Sequence, residues 1–193
     1  MSNVKKRIKK QEKSLKGYVD ELFEQNSKIL VVRVDLAYKK PFSEEITMEE
    51  SNKYISRMLN NRRSKPSVFE GNNGYIIKKE FTEDKGVHCH AFFFYDGQKV
   101  QNDSFKADQI GKTWENITES KGCYHNCNRN KSKYENNGIG MIDHNDEEKR
   151  RILIEDAISY VLKEEQDIDV LKKNKKFKSL VRGIVSKDKS KKK

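Results

Sequence analysis

The sequence predicts an α+β fold: a four-stranded antiparallel sheet with two helices on one face and a C-terminal helix covering the other. Three observations lead there. Between residues 28 and 128, β-branched and aromatic stretches alternate with stretches of helical period in the order β-α-β-β-α-β. The two middle strands are separated only by a tight Glu-Asp-Lys-Gly segment, which makes them an antiparallel hairpin. A last amphipathic helix has no partner among these elements and is available to cover the open sheet face.

Each element has its own signal. Residues 4–25 read as a helix of weak amphipathicity. KILVVRVDLAY (28–38) is apolar and β-branched, a buried strand that ends before Pro41. Residues 47–63 carry a helical period, and Thr47 with Glu50 forms a capping-box pattern at its start. GYIIKKEF (74–81) and VHCHAFFFYD (87–96) are the hairpin strands. A second helix follows over 104–118, with Asp103 or Ser104 as its cap. KGCYHNCN (121–128) reads as a strand, 129–137 as a polar Asn/Lys loop, and GIGMIDH (138–144) as a short strand. Residues 145–166 form the clearest helix, with acids in its first turn that suit the helix dipole. The β-α-β-β-α-β order is the split βαβ, ferredoxin-like arrangement, shared with RRM-like folds.

At 193 residues the chain is one domain with extensions: a basic helix at 1–27, a central domain at 28–166 and a Lys-rich tail at 167–193. The net charge of +11 sits at the ends. Residues 171–193 hold eleven Lys/Arg against one acid, and residues 1–16 hold seven against one. The middle is mildly acidic. Basic ends of this kind suit a phosphate backbone, with a merely solvated tail as the bland alternative. No apolar run reaches the length of a membrane span, and no apolar signal segment opens the chain. Three cysteines, an odd and small number, fit a reducing compartment. A cytoplasmic protein with no membrane partner is expected.

Two of the four histidines fall in the stretch GVHCHAFFFYDG (86–97). In a strand, His88 and His90 point to the same face about 6.6 Å apart, close enough to converge on one cation. Metal ligation and a hydrogen-bonded structural pair both fit this spacing. Glu80 on the preceding strand is the candidate third ligand. A three-residue loop of Asp84, Lys85 and a left-handed Gly86 pairs Glu83 with Val87 and sets Glu80 opposite His90, on the histidine face. Two imidazoles and a carboxylate with open positions suit Mg²⁺ or Mn²⁺ beside a phosphate. The alternative is that Glu80 is an ordinary surface carboxylate.

On the last helix, SYVLKEE places Tyr160 and Lys163 three residues apart, hence side by side. Ile154, Ala157, Ile158 and Val161 form the expected apolar stripe, with Tyr160 on its flank. Taken alone, such a tyrosine is as well explained by packing.

Together, His-hydrophobe-His on a strand, an acid on the strand before it and Tyr-x-x-Lys on a later helix resemble the HUH endonucleases. Cys89 occupies the middle position, where a larger apolar residue is usual; a free cysteine packs as a small hydrophobe. RVDLAY, GVHCHAFFFYDG, WENIT and GCYHNCNRN resemble inovirus-type replication initiators and the YagK/YfjJ C-terminal domain proteins within that superfamily. The resemblance covers roughly residues 28–166 and makes that segment the catalytic domain. It implies site-specific nicking and joining of single-stranded DNA through a 5′-phosphotyrosine, initiating rolling-circle replication of a phage, plasmid or satellite element. Tyr160 is then the nucleophile, assisted by Lys163, and His88, His90 and Glu80 hold the divalent metal. The implied partner is single-stranded DNA at an origin hairpin or nick site, with a host helicase as a further candidate. A transposase or relaxase uses the same chemistry. A non-catalytic RRM-like nucleic-acid regulator is the rival from another class, because Phe92 and Phe94 share the histidine face.

Arg33 on the first strand, with Arg129 and Lys131 in the polar loop, are the candidate nucleic-acid contacts. Arg33 and Asp35 share a strand face, where a buried ion pair explains them equally well. Cys123, His125 and Cys127 suggest zinc, but on a strand the two cysteines lie about 13 Å apart, so a structural strand is expected. Trp114 reads as the core anchor of its helix.

Overall fold

The hairpin at the centre of the chain builds the sheet on which everything else rests. The structure is a computed structural model that describes residues 3–64, 66–163 and 178–185, except the side chains of residues 3, 4, 63, 64, 66 and 163. Strands β1 (Lys28–Tyr38), β2 (Asn72–Thr82), β3 (Gly86–Asp96), β4 (Gly122–Asn126), β5 (Gly140–Asp143) and β6 (Leu180–Arg182) form one six-stranded sheet in the order β4-β1-β3-β2-β6, with β5 also on β1. Every pairing is antiparallel. The helices are α1 (Asn3–Gln25), α2 (Phe42–Glu45), α3 (Met48–Ser64), α4 (Pro66–Phe69), α5 (Asp103–Ile117), α6 (Glu147–Ile152) and α7 (Ser159–Lys163). The fold is therefore mixed α+β with an antiparallel sheet.

The alternation of β1 and β3 divides their apolar residues between two cores. Val32, Val34, Leu36, Phe93 and Tyr95 face α3 and α5, where Trp114 is fully buried. Its indole nitrogen donates to the Ala37 carbonyl at 3.0 Å, which ties α5 to β1. Ile29, Val31, Phe92 and Phe94 face the opposite layer, made by α1 and the last helical segment. That layer differs from expectation, because α1 shares the covering role with the last helix. Leu15, Tyr18, Val19, Leu22 and Phe23 of α1 are all buried, and the Tyr18 hydroxyl accepts a hydrogen bond from the Tyr75 amide at 3.1 Å. The basic N-terminal helix and the central domain share one core.

Local signals held at α3, where the Thr47 amide donates to Glu50 Oε2 at 3.0 Å and the Glu50 amide to Thr47 Oγ1 at 3.2 Å. At α5 the cap is Asn102 rather than Asp103 or Ser104, its side chain accepting from the Phe105 amide at 2.9 Å. Asp103 is turned inward instead, accepting from Asn128 and Lys131. The strand expected over 121–128 stops at Asn126 and continues as a 3₁₀ segment, Cys127–Lys133. β6 lies within the stretch read as a Lys-rich tail. Residues 164–177 and 186–193, which include the end of the expected last helix and most of that tail, lie outside the described residues.

The last helix is not a continuous α-helix. Between α6 and α7 lies a π-helical segment, Leu153–Ile158. One extra residue in that turn rotates everything after it relative to an α-helix. The buried residues are accordingly Leu153, Ile158, Val161 and Leu162, while Ile154 and Ala157 of the expected stripe are only partly buried.

Asn128 explains how β1 is paired along its whole length. β4 pairs with β1 from Val34 onward, and β5 pairs with it up to Val31. In the gap, Asn128 Oδ1 accepts from the Arg33 amide at 2.8 Å and Asn128 Nδ2 donates to the Val31 carbonyl at 3.0 Å. The side-chain amide thus stands in for a peptide group of a missing strand.

Candidate active site

The hairpin turn determines which side chains meet. The loop is Glu83-Asp84-Lys85, with Thr82 opposite Gly86, so Glu80 pairs with His88 and not with His90 as expected from a loop over 84–86. The correction moves the register by two residues, which leaves every side chain on its face. Gly86 has φ of 66°, and a Cβ there would meet the Ser43 carbonyl oxygen at 2.1 Å, so only glycine allows this turn to pack on α2.

Glu80, His88 and His90 converge on the sheet face covered by α1 and the last helix. Glu80 Oε2 lies 3.7 Å from His88 Nε2 and 3.3 Å from His90 Nε2. Among the described residues these three are the group of His, Cys, Asp and Glu side chains whose ligand atoms all lie within 4.8 Å of one another. Both rings are held from behind. His88 Nδ1 is 3.0 Å from the Gly86 carbonyl, and His90 Nδ1 is 2.8 Å from Asp35 Oδ1. Each acceptor holds the ring through Nδ1 and turns Nε2 toward Glu80, the usual support behind metal-binding histidines.

Two carboxylates, Glu80 and Asp35, surround the His90 ring with negative charge. Burial would raise the Glu80 carboxyl, but the two histidines outweigh it and hold Glu80 below the usual glutamate range. Burial opposes a charged His90 ring; Asp35 and Glu80 overcome this and lift its pKa to about 9. Glu80 is only 3% exposed, and its second oxygen, Oε1, is buried without a hydrogen-bond partner. A buried carboxylate oxygen left open, beside two directed imidazole nitrogens, matches a mixed N/O site for a divalent cation.

Around the cluster lies a cleft of about 680 Å³. Its floor includes Arg33, Asp35 and the Glu80–His88–His90 cluster; one wall is the loop from Tyr134 to Ile139, and the other is Asp156, Ala157 and Tyr160. Tyr160, 53% exposed, thus opens onto the same cavity as the histidines. The π segment sets the face that α7 presents, and Gly138 lets the loop wall touch the helix wall: a Cβ there would meet the Leu153 backbone at 2.7 Å. Lys163 closes α7, but its side chain lies outside the described residues.

Arg33 is nearly buried, with its Nε 3.4 Å from Asp35 Oδ1 and its guanidinium 5.5 Å from the Phe92 ring centroid. It both forms the buried pair and lines the cleft. Arg129 and Lys131 stand apart from the cleft lining, Arg129 paired with Asp108 and Lys131 with Asp103, each at 2.6 Å. Cys123, His125 and Cys127 form no metal group among the described residues; Cys127 is buried in the core. From the sequence, Asp35 reads as a residue sharing a strand face with Arg33, either lining the active side or forming a buried ion pair. Its cross-strand pairing with His90 makes it the residue that orients the ring. No sequence spacing reveals that pairing, because the two residues lie 55 positions apart.

The chain belongs to the YagK/YfjJ C-terminal domain family, which it matches over residues 2–179. That span takes in α1 as well as the cleft. No curated protein and no solved structure matches the chain.

Proposed function

We propose that this protein nicks and rejoins single-stranded DNA through a covalent tyrosyl intermediate, as an HUH-type endonuclease that initiates rolling-circle replication. One observation carries the reading: the Glu80–His88–His90 cluster and Tyr160, far apart in the sequence, open onto one cleft. The ferredoxin-like reading of the core is supported by the β4-β1-β3-β2 strand order. The RRM-like alternative is weakened, since Phe92 and Phe94 are fully buried and offer no stacking surface.

His88, His90 and Glu80 would hold Mg²⁺ or Mn²⁺, whose chemistry when bound is Lewis-acid polarisation of a phosphoryl oxygen. Asp35 keeps His90 in its ligating tautomer. Arg33, fixed by Asp35 and Phe92, offers a cation to the phosphate. The Tyr160 phenol oxygen bonds to phosphorus as the P–O3′ bond breaks; the phenol proton leaves and the 3′ oxygen takes one up. The strand is left as a 5′-phosphotyrosine with a free 3′-hydroxyl. Attack by a 3′-hydroxyl reverses the step, and rejoining needs no ATP because the phosphodiester energy is conserved.

The test is incubation with single-stranded origin DNA and Mn²⁺, followed by a denaturing gel. A DNA adduct is expected with the native chain and not with Tyr160→Phe, and EDTA should suppress it. An adduct that persists in Tyr160→Phe would sink the assignment.

A further inference from the structure

The loop wall of the cleft is built more rigidly than a connecting loop needs to be. Its stem, the 3₁₀ segment Cys127–Lys133, is capped by Asn126 Oδ1, which accepts from the amides of Asn128 at 3.1 Å and Arg129 at 3.2 Å. Asn128 is locked into β1, and Lys131 is clamped to Asp103. On the far side, Gly140 is paired with Val31. Tyr134 follows directly on this stem, its amide donating to the Lys131 carbonyl at 3.2 Å. Tyr134 remains 41% exposed and lines the cleft, with its phenol beside Cys127 and Arg33. A large aromatic at the mouth of a polar cleft, on a fixed stem, is not explained by core packing.

We infer that Tyr134 is a nucleobase-stacking platform, and that the cleft takes an unpaired base of single-stranded DNA beside the scissile phosphate. This rests on the strand-nicking reading for the identity of the polymer. The floor of the cleft carries the groups that address a phosphate, Arg33 and the histidine cluster. Its loop wall carries a π face followed by the amides of Asn136 and Asn137, groups that address a base. Asn137 Oδ1 is already used by the Ile139 amide at 3.1 Å, which shapes the loop. Burial raises the Tyr134 phenol above its ordinary pKa, and the neighbouring Cys127 adds to this. That environment suits a platform better than a second nucleophile. A preformed aromatic platform spares the protein the cost of ordering a loop on binding.

The test is a two-by-two comparison in EDTA, so that no cleavage intervenes. Native chain and Tyr134→Ala are titrated by fluorescence anisotropy against oligothymidylate and against an abasic deoxyribose-phosphate strand of equal length. The expected result is about a tenfold or greater loss for Tyr134→Ala on oligothymidylate. The two proteins should bind the abasic strand alike, and Tyr134→Phe should retain native affinity for both. Equal binding of oligothymidylate by native chain and Tyr134→Ala overturns the inference, as does an equal loss on both strands. The two proposals fail separately. Base-dependent binding through Tyr134 without any covalent adduct discards only the nicking reading. An adduct with binding indifferent to Tyr134 discards only the stacking site.

Discussion

Asp35 shows how much of the candidate metal centre depends on a residue that would not itself touch the metal. Its carboxylate receives the His90 Nδ1–H at 2.8 Å and the Arg33 Nε–H at 3.4 Å, so one side chain orients both the His90 ring and the Arg33 guanidinium. Burial alone would raise the Asp35 carboxyl; His90 and Arg33 reverse this and keep it ionised. Asp35→Asn preserves shape but removes the charge that fixes the His90 tautomer. Mn²⁺ affinity measured by calorimetry should fall by about 10- to 100-fold in this variant. Unchanged affinity would show that His90 does not need this support. Glu80, His88 and His90 were legible in the sequence because strand alternation assigns faces from spacing alone. Their register was not: a turn of the same length can close one step earlier, and the close packing of Gly86 against Ser43 is a tertiary contact that the strand pattern does not carry.

At the scale of elements, the β1 edge and the last helix each depart from their simplest form. Asn128 fills the gap between β4 and β5, and nothing in its neighbourhood marks it as a strand surrogate. Asn128→Ala would leave the Arg33 amide and the Val31 carbonyl buried without partners. The expected cost is about 2–4 kcal/mol, read from urea unfolding. A loss below half a kilocalorie, as for a surface residue, would mean that water replaces the amide. The last helix illustrates a different limit. Its apolar residues are spaced for either of two stripes, and the α-helical period chooses Ile154 and Ala157. The fold keeps Ile158 and Val161 of the expected stripe but buries Leu153 and Leu162 in place of Ile154 and Ala157, through a π turn that sequence periodicity does not encode.

At the scale of the molecule, the sheet has two covered faces and a strand added at one edge. The strand-helix alternation from β1 to β4 was readable because each segment is long and strongly patterned. The role of α1 was not, because its many lysines lower its overall hydropathy although Leu15, Tyr18, Val19, Leu22 and Phe23 share one buried face. Leu22 lies at 1% exposure against the same core as Phe94. Leu22→Ala should lower stability by about 2–5 kcal/mol in denaturant unfolding. If α1 were a detachable basic extension, the same substitution would leave the unfolding midpoint in place. β6 was hidden for a related reason: three residues amid lysines carry too little pattern, yet they pair with Ile76–Lys78 along the edge of β2.

The stapling of the cleft loop to β1 has a consequence for how such a protein can change. Both ends of the segment between Asn128 and Gly140 are held by β1 itself, while Tyr134, Glu135 and Asn136 contribute little to either core. Substitutions at Tyr134, Glu135 and Asn136 should therefore leave the folding free energy nearly untouched, unlike changes at the buried Ile139 or at Gly138. The histidine-lined floor, set by strand pairing, and residues 134–136 of the loop wall can thus vary independently. An exchange confined to residues 134–136 should reshape the cleft wall while leaving the sheet beneath it unaltered.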